Sequence, residues 1–321
     1  MRTMLGVVAV AALMAAQGAW AQKYPDKPIR MIVNYPPGGS TDFTARILAQ
    51  RIPDSLGQSF VVDNRGGAAG NIGSEIAVKS APDGYTVLIS PESGITINQF
   101  VYPRLAFDPI RDLVPITQVI KYPNVVVVHP SLGIGSIRDL AQFAKANPGK
   151  LRYAHPGVGT GQHLAVELFK LTGGIDMISV PYKGGGPAMI SLVGNETQFS
   201  FATPPSAMPH VRSGRLKAIG VTSGKRTPSL PDLPTVAESG IPGYDVIGWV
   251  GLFAPAKTPA HMLKRLNDEV AKVIVVQEVK DMVAAAGSET SGVALEVFAA
   301  QNRREADTWA KVVKQSGVKI E

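Results

Sequence analysis

The chain runs to 321 residues, with 32 Lys and Arg against 25 Asp and Glu, a net charge of +7, and no cysteine. Without cysteine there is no disulfide, thiolate metal site, cysteine nucleophile or thiol for a lipid anchor. The basic side chains are dispersed, which argues against nucleic acid as a partner, while a mild positive balance draws in anionic solutes.

The chain opens on Met1 and Arg2, an apolar segment at 5–16, and Ala19-Trp20-Ala21 ahead of Gln22. This order reads as a secretory signal peptide over 1–21, cleaved after small residues, so the mature protein is expected outside the cytoplasm. A retained N-terminal anchor is the alternative, although the apolar part is short for a span and no later stretch is long enough. Removing 1–21 removes Arg2 and no acid, leaving 31 basic against 25 acidic side chains, net +6. About 300 residues suffice to bury two cores.

An apolar run at 29–33 reads as a buried strand. Residues 43–56, with Phe43, Ile47, Leu48 and Ile52 at helical spacing, read as a helix. Between them lies Tyr35-Pro36-Pro37-Gly38-Gly39-Ser40-Thr41-Asp42. The prolines stiffen this loop and the glycines let it turn. Ser40 or Thr41 can cap the helix, and Asp42 suits its first turn. The N–H groups that remain form a site for a carboxylate or phosphate. A capped connection with no ligand is the alternative for any one such loop.

A second strand is expected at 60–63, followed by the glycine-rich Asn64–Gly73 and a helix at 74–79. Pro82-Asp83-Gly84 marks a turn before a third strand at 85–90. Alternating strands and helices predict a parallel α/β sheet with ligands at the strand C-termini. Ser90 and Ser93 are therefore candidate contacts, or else solvated loop serines. Apolar runs at 113–120 and 124–128, split by Lys121-Tyr122-Pro123, mark a domain crossing. Beyond it come a helix at 136–146 with a capping pattern at Ser136 and Asp139, and a strand at 151–154.

His155-Pro156-Gly157-Val158-Gly159-Thr160-Gly161-Gln162-His163 then opens a helix at 164–171. After a strand at 177–180 comes a third glycine loop, Pro181-Tyr182-Lys183-Gly184-Gly185-Gly186-Pro187. Strands at 198–202 and 216–221 flank a short helix opened by Pro204-Pro205-Ser206. Residues 222–244 read as a long connection with a short helix near 235–239, and a strand at 246–253 crosses back. Thr258-Pro259 starts a helix, and a last helix spans 293–315. With the first loop in one domain and the other two in a second, the loops face each other across a cleft and hold an anion between backbone N–H groups.

No nucleophile elbow, phosphate-binding loop, dinucleotide fingerprint or metal-ligand spacing is present, so no catalytic residue, metal or cofactor is expected. His155 and His163 flank the second loop. As a general base either needs a nucleophile such as Thr160 or Ser40. A carboxylate donor role for His163 competes with packing against its own loop. Lys183 is a clamp or a solvated lysine; Tyr35 and Tyr182 offer a ring wall and a hydroxyl, or core packing.

The Tyr35–Asp42 loop, Arg65–Gly73, Gly157–His163 with Glu167-Leu168-Phe169, Pro181–Gly184, Gly214–Ala218 with Val221-Thr222-Ser223, Leu233–Glu238, and Trp249–Leu252 with Ala254-Pro255 occur in this order. Together they resemble the tripartite tricarboxylate transporter solute receptors, or Bug receptors, over essentially the whole mature chain. The resemblance implies a periplasmic α/β two-domain binding protein, type II-like, with a two-segment hinge. Domain I takes residues 22–122 and 247–321, and domain II takes 123–246. It implies a non-enzymatic, cofactor-free monomer that closes on a small carboxylate (a di- or tricarboxylate, an acidic amino acid or an aromatic acid), held largely by backbone N–H groups and waters. Its partner is a membrane permease. Carried over by motif, one carboxylate meets Tyr35, Gly39, Ser40, Thr41 and Asp42. The opposite domain offers Gly159, Thr160 and His163, with Pro181, Tyr182 and Lys183 nearby. Gly38, Ser90, Ser93 and Thr203 complete the candidate set.

Two departures stand out. His155-Pro156 replaces small residues at the second loop, and Ala202 stands where many members carry aspartate, which weighs against an amino-acid ligand. A sensory module presenting the bound carboxylate to a membrane sensor kinase, and a periplasmic hydrolase, are the competing readings.

Overall fold

The computed structural model describes residues 24–319; the signal-peptide reading at 1–21 lies outside them. Two sheets organise the chain. The first is built on β1 (Ile29–Val33), whose Ile29, Met31, Ile32 and Val33 are fully buried. Parallel to it on either side run β2 (Phe60–Asn64) and β3 (Thr86–Pro91). β4 (Leu113–Pro123) completes this part of the chain before the crossing. The second sheet holds β5 (Val125–Val128), β6 (Arg152–His155), β7 (Ile178–Pro181), β8 (Phe199–Ala202) and β9 (Lys217–Val221). The chain then returns to the first sheet as β10 (Ile247–Pro255) and ends with the edge strand β11 (Glu289–Val293) and a helix, Leu295–Ser316.

The strand orders are β11-β4-β10-β3-β1-β2 and β7-β6-β8-β5-β9. Without the edge strand β11 the two lobes follow one scheme. The antiparallel insertion is in each case the first strand after a crossing between lobes: β10 lies antiparallel to β3 and β4, and β5 to β8 and β9. The sheets are therefore mixed, which corrects the expectation of a parallel sheet. A strand arriving from the other lobe enters from the opposite end.

The two crossings are tied at one residue. Thr222 Oγ1 accepts from Asn124 N–H (2.8 Å) and donates to the Val246 carbonyl (2.7 Å). The Thr222 N–H donates to the Asn124 carbonyl (3.0 Å), and the Val246 N–H to the Thr222 carbonyl (2.9 Å).

Other local expectations change too. Lys121, Tyr122 and Pro123 are not a separator but the end of β4. Near 235–239 there is a turn, not a helix: the Glu238 N–H donates to Thr235 Oγ1 and the Thr235 N–H to a Glu238 carboxylate oxygen, each at 3.0 Å. The helix Gln277–Ala285 and β11 were not expected. The last helix joins both lobes. Its Phe298 meets Trp249 of β10 edge-on at 5.0 Å, and Trp309 packs against the second-lobe core.

Candidate functional site

The loop after β1 is shaped by an internal carboxylate. Asp42 Oδ2 accepts from the Gly38 N–H (3.1 Å) and Arg46 Nε (3.0 Å), and Oδ1 accepts from Asn64 Nδ2 (3.1 Å). Burial opposes its charge, but Arg46, the Gly38 N–H and Asn64 outweigh burial and hold the carboxyl below its ordinary range. The helix Ser40–Arg51 begins on Gly39, with no side chain capping it. This corrects the expectation that Ser40 or Thr41 caps: the Ser40 hydroxyl instead donates to Tyr122 Oη (3.0 Å). The first-turn N–H groups of Ser40, Thr41 and Asp42 have no intrahelical acceptor, and the helix dipole is positive there.

Gly39, Ser40 and Thr41 line a cavity of about 40 Å³ between the lobes. Tyr35, Pro36, Pro91 and Tyr122 complete its first-lobe wall. The second lobe supplies Pro156, Gln162, Gly185, Ala188, Met189, Ser200, Phe201, Ala202, Thr203 and Ser206. Among the described residues no Asp, Glu, Lys, Arg or His lines it. The helix Gly185–Val193 also begins, on Gly184, without a capping side chain. The helix Pro204–Arg212 opens instead on two prolines that carry no N–H. The lobes touch around this cavity: Ser206 Oγ donates to the Gly38 carbonyl (3.3 Å), and Tyr102 Oη to the Val158 carbonyl (3.4 Å). Pro36 sits between Gly66 and Gly184, where an added Cβ would come within 2.7 and 3.2 Å of its ring.

Of the residues singled out by sequence, Tyr35, Gly39, Ser40, Thr41 and Thr203 line the cavity. Gly38 and Asp42 form the loop behind it. Ser90 lies beneath, accepting from Asn34 Nδ2 (2.9 Å), and Ser93 Oγ lies 3.2 Å from Tyr35 Oη. Gly159, Thr160 and His163 do not line it. The Gly159 N–H donates to His163 Nδ1 (3.2 Å), and Thr160 Oγ1 caps its helix by accepting from the His163 N–H (3.3 Å). His163 stacks on His155 at 4.2 Å. Burial, then the neighbouring His163 charge, pushes His155 down to about 3; burial, then Lys170, pushes His163 down to about 4. Both imidazoles are thus neutral near pH 7. Pro181 and Lys183 are exposed, and the Tyr182 hydroxyl reaches Glu196 at 3.5 Å, away from the cavity.

Sequence reasoning missed Tyr122, Gln162, Gly185, Met189 and Ser206. Gly185 and Ser206 were visible as helix starts after strands; Tyr122 was masked by its place at a presumed crossing. Among the described residues no cluster of three or more His, Asp or Glu is placed to hold a metal.

Two α/β lobes of one strand scheme, joined by two crossings and closed over a cavity that receives an uncapped helix N-terminus, define a bilobal solute receptor. The chain belongs to the tripartite tricarboxylate transporter receptor family, the Bug receptors: the model described as "Tripartite tricarboxylate transporter family receptor" matches residues 44–318. Protein BugT of Bordetella pertussis (strain Tohama I) is 37% identical over 301 residues, 94% of this chain and 92% of that protein. Rpa4515 of R. palustris, solved with adipate, superposes with a TM-score of 0.89 at 34% identity, over 92% of this chain and 98% of that one. MatC (Rpa3494) from Rhodopseudomonas palustris, solved with bound malate, gives a TM-score of 0.85 at 27% identity, over 90% of this chain and 100% of that one. The family is one of transporter receptors, and the chain is a receptor, not an enzyme.

Proposed function

We propose that this protein is a periplasmic receptor, exported by a cleaved leader at 1–21. It closes as a monomer on a small carboxylate and delivers it to the membrane permease of a tripartite tricarboxylate-type transporter. One domain comprises 22–122 and 247–321, the other 123–246. The observation that carries the reading is the uncapped start of the helix Ser40–Arg51 at the interlobe cavity. Amide N–H groups at a positive dipole end bind a carboxylate without a charged side chain. Tyr35, Gly39, Ser40 and Thr41 hold the anion, with Gly38 and Asp42 keeping the loop in shape. Thr203 faces them from the other lobe. Adipate and malate, bound in the two related structures, are the starting ligands.

A thermal-shift series on residues 22–321 tests this, using adipate, malate and an aromatic acid against their neutral amides. A ligand that binds only the folded protein raises its melting temperature by mass action. A shift with an acid and none with its amide is the expected result. No shift with any acid, in protein freed of carried-over ligand, would overturn the reading.

A further inference from the structure

Glu92 follows β3 directly, 3% exposed, and the receptor reading gives it no role. Its carboxylate Oε2 accepts from the Trp249 N–H (3.1 Å), and its own N–H donates to the Trp249 carbonyl (3.3 Å), all within the first lobe. Oε1 points to the second lobe. It lies 1.9 Å from where a Cβ would stand on Gly161, the first residue of the helix Gly161–Gly173. Only glycine leaves room for this oxygen. The chain neighbours Pro91 and Gln162 both line the cavity, so the contact lies immediately behind the ligand space. Parting the lobes there must pull Gly161 off Glu92 and let water reach the carboxylate.

We propose that lobe closure is proton-linked through Glu92: closing takes this carboxyl out of water and seats it against Gly161, so that capturing a ligand takes up a proton. The link to ligand capture rests on the receptor function proposed above; the link to lobe closure does not. Among the described residues no cation forms a salt bridge with Glu92. The groups that face it are Glu305 on the last helix, whose carboxylate accepts from Trp249 Nε1 (2.7 Å), and the phenols of Tyr35 and Tyr122. On the second-lobe helix, His163 and Glu167 turn instead toward one another, with Lys170 on Glu167 at 2.9 Å. The positive end of that helix dipole favours a charged Glu92; burial opposes it, and Glu305 adds to the opposition. Burial dominates and raises the carboxyl to about 7.

A group whose affinity for protons is higher in the closed than in the open form favours closure as pH falls. The window runs from just above 7 down to the ordinary glutamate range, where the open form also protonates.

Two measurements on residues 22–321 test this, each on wild type and Glu92→Gln. Small-angle scattering of ligand-free protein reads closure alone. The wild type is expected to be more compact at about pH 6 than at about pH 8.5, and Glu92→Gln equally compact at both. Titration calorimetry with adipate reads capture. Wild-type affinity is expected to fall roughly fivefold or more from pH 6 to 8.5 relative to Glu92→Gln, with proton uptake seen as a dependence of the heat on buffer ionisation. A radius that does not change with pH, identical pH slopes in the two proteins, or wild-type affinity that rises with pH would each overturn the proposal. If adipate and malate fail to bind at every pH, the carboxylate reading falls, and scattering still decides the role of Glu92.

Discussion

A carboxylate built permanently into the start of the helix Ser40–Arg51 will stabilise the protein and abolish its binding. Gly39, the N-cap, has φ −103° and ψ −179°, an extended conformation open to any residue. A Cβ there meets no atom within 4 Å, so Gly39→Asp fits without strain. The new side chain accepts from a first-turn N–H. Glycine is already tolerated at an N-cap, so the capping gain over it is only a few tenths of a kcal/mol, and the dipole adds about 0.3–1 kcal/mol. Asp42, three residues on, subtracts from this, but its charge is held by Arg46 and Asn64. The net is about 0.5–1 kcal/mol, or ~1–2 °C in melting temperature for a chain of this size. The ligand-free variant is thus expected to melt slightly higher than wild type by differential scanning calorimetry. Adipate and malate give it neither a further shift nor heat of binding, because the internal anion occupies their place. Gly39→Ala brings no anion and keeps binding while losing roughly 0.5–1 kcal/mol of stability. Wild-type affinity in Gly39→Asp would refute the assignment of the anion to this helix. A lower melting temperature would show that the first-turn amides already have partners.

Three further perturbations have definite outcomes. Thr222→Val keeps the shape of the side chain but orphans the Asn124 N–H and a bond to the Val246 carbonyl, so a urea midpoint corresponding to a loss of about 1–3 kcal/mol is expected; an unchanged midpoint would mean the crossings do not depend on this tie. His155 and His163, held down to about 3 and about 4 chiefly by burial, stay neutral while the unfolded chain takes protons near 6.5. Their contribution is complete above that value and is lost as pH falls toward 4, so their imidazole NMR signals should not titrate above about pH 5. A midpoint near 6.5 for either would place it in water. Gly161→Ala puts a methyl group where Glu92 Oε1 lies at 1.9 Å. It should weaken adipate binding in calorimetry, and Glu92→Ala in the same chain should restore much of it; equal binding by wild type and Gly161→Ala would mean the two lobes do not meet there in the bound form.

The sequence makes the first loop legible because two patterns adjoin there: a mostly apolar run in β1, interrupted only by Arg30, then a 3.6-residue pattern carried by Phe43, Ile47 and Leu48. β10 also announces itself as a strand. Its antiparallel place between β3 and β4 does not, because that depends on where the chain has been for the preceding 120 or so residues, a matter of topology. β11 escaped because Glu289-Thr290-Ser291-Gly292 has no apolar alternation: the strand is paired at the sheet edge, and none of its residues is fully buried.

The second-lobe residues expected at the site, Gly159, Thr160 and His163, lie off the cavity for a different reason. All three glycine loops carry the same local message, a strand followed by exposed amides at a helix start. Which of those amides stays free is decided by side chains that arrive from elsewhere. At Gly159 the acceptor is His163 Nδ1, one turn along the same helix. At Gly161 the neighbour is Glu92, brought over from the other lobe. At Gly39 and Gly184 no side chain among the described residues caps the helix start. The proposed anion site is therefore defined by what does not fill it. Glycine spacing fixes where N–H groups can gather, and tertiary structure selects which gathering is left for a ligand.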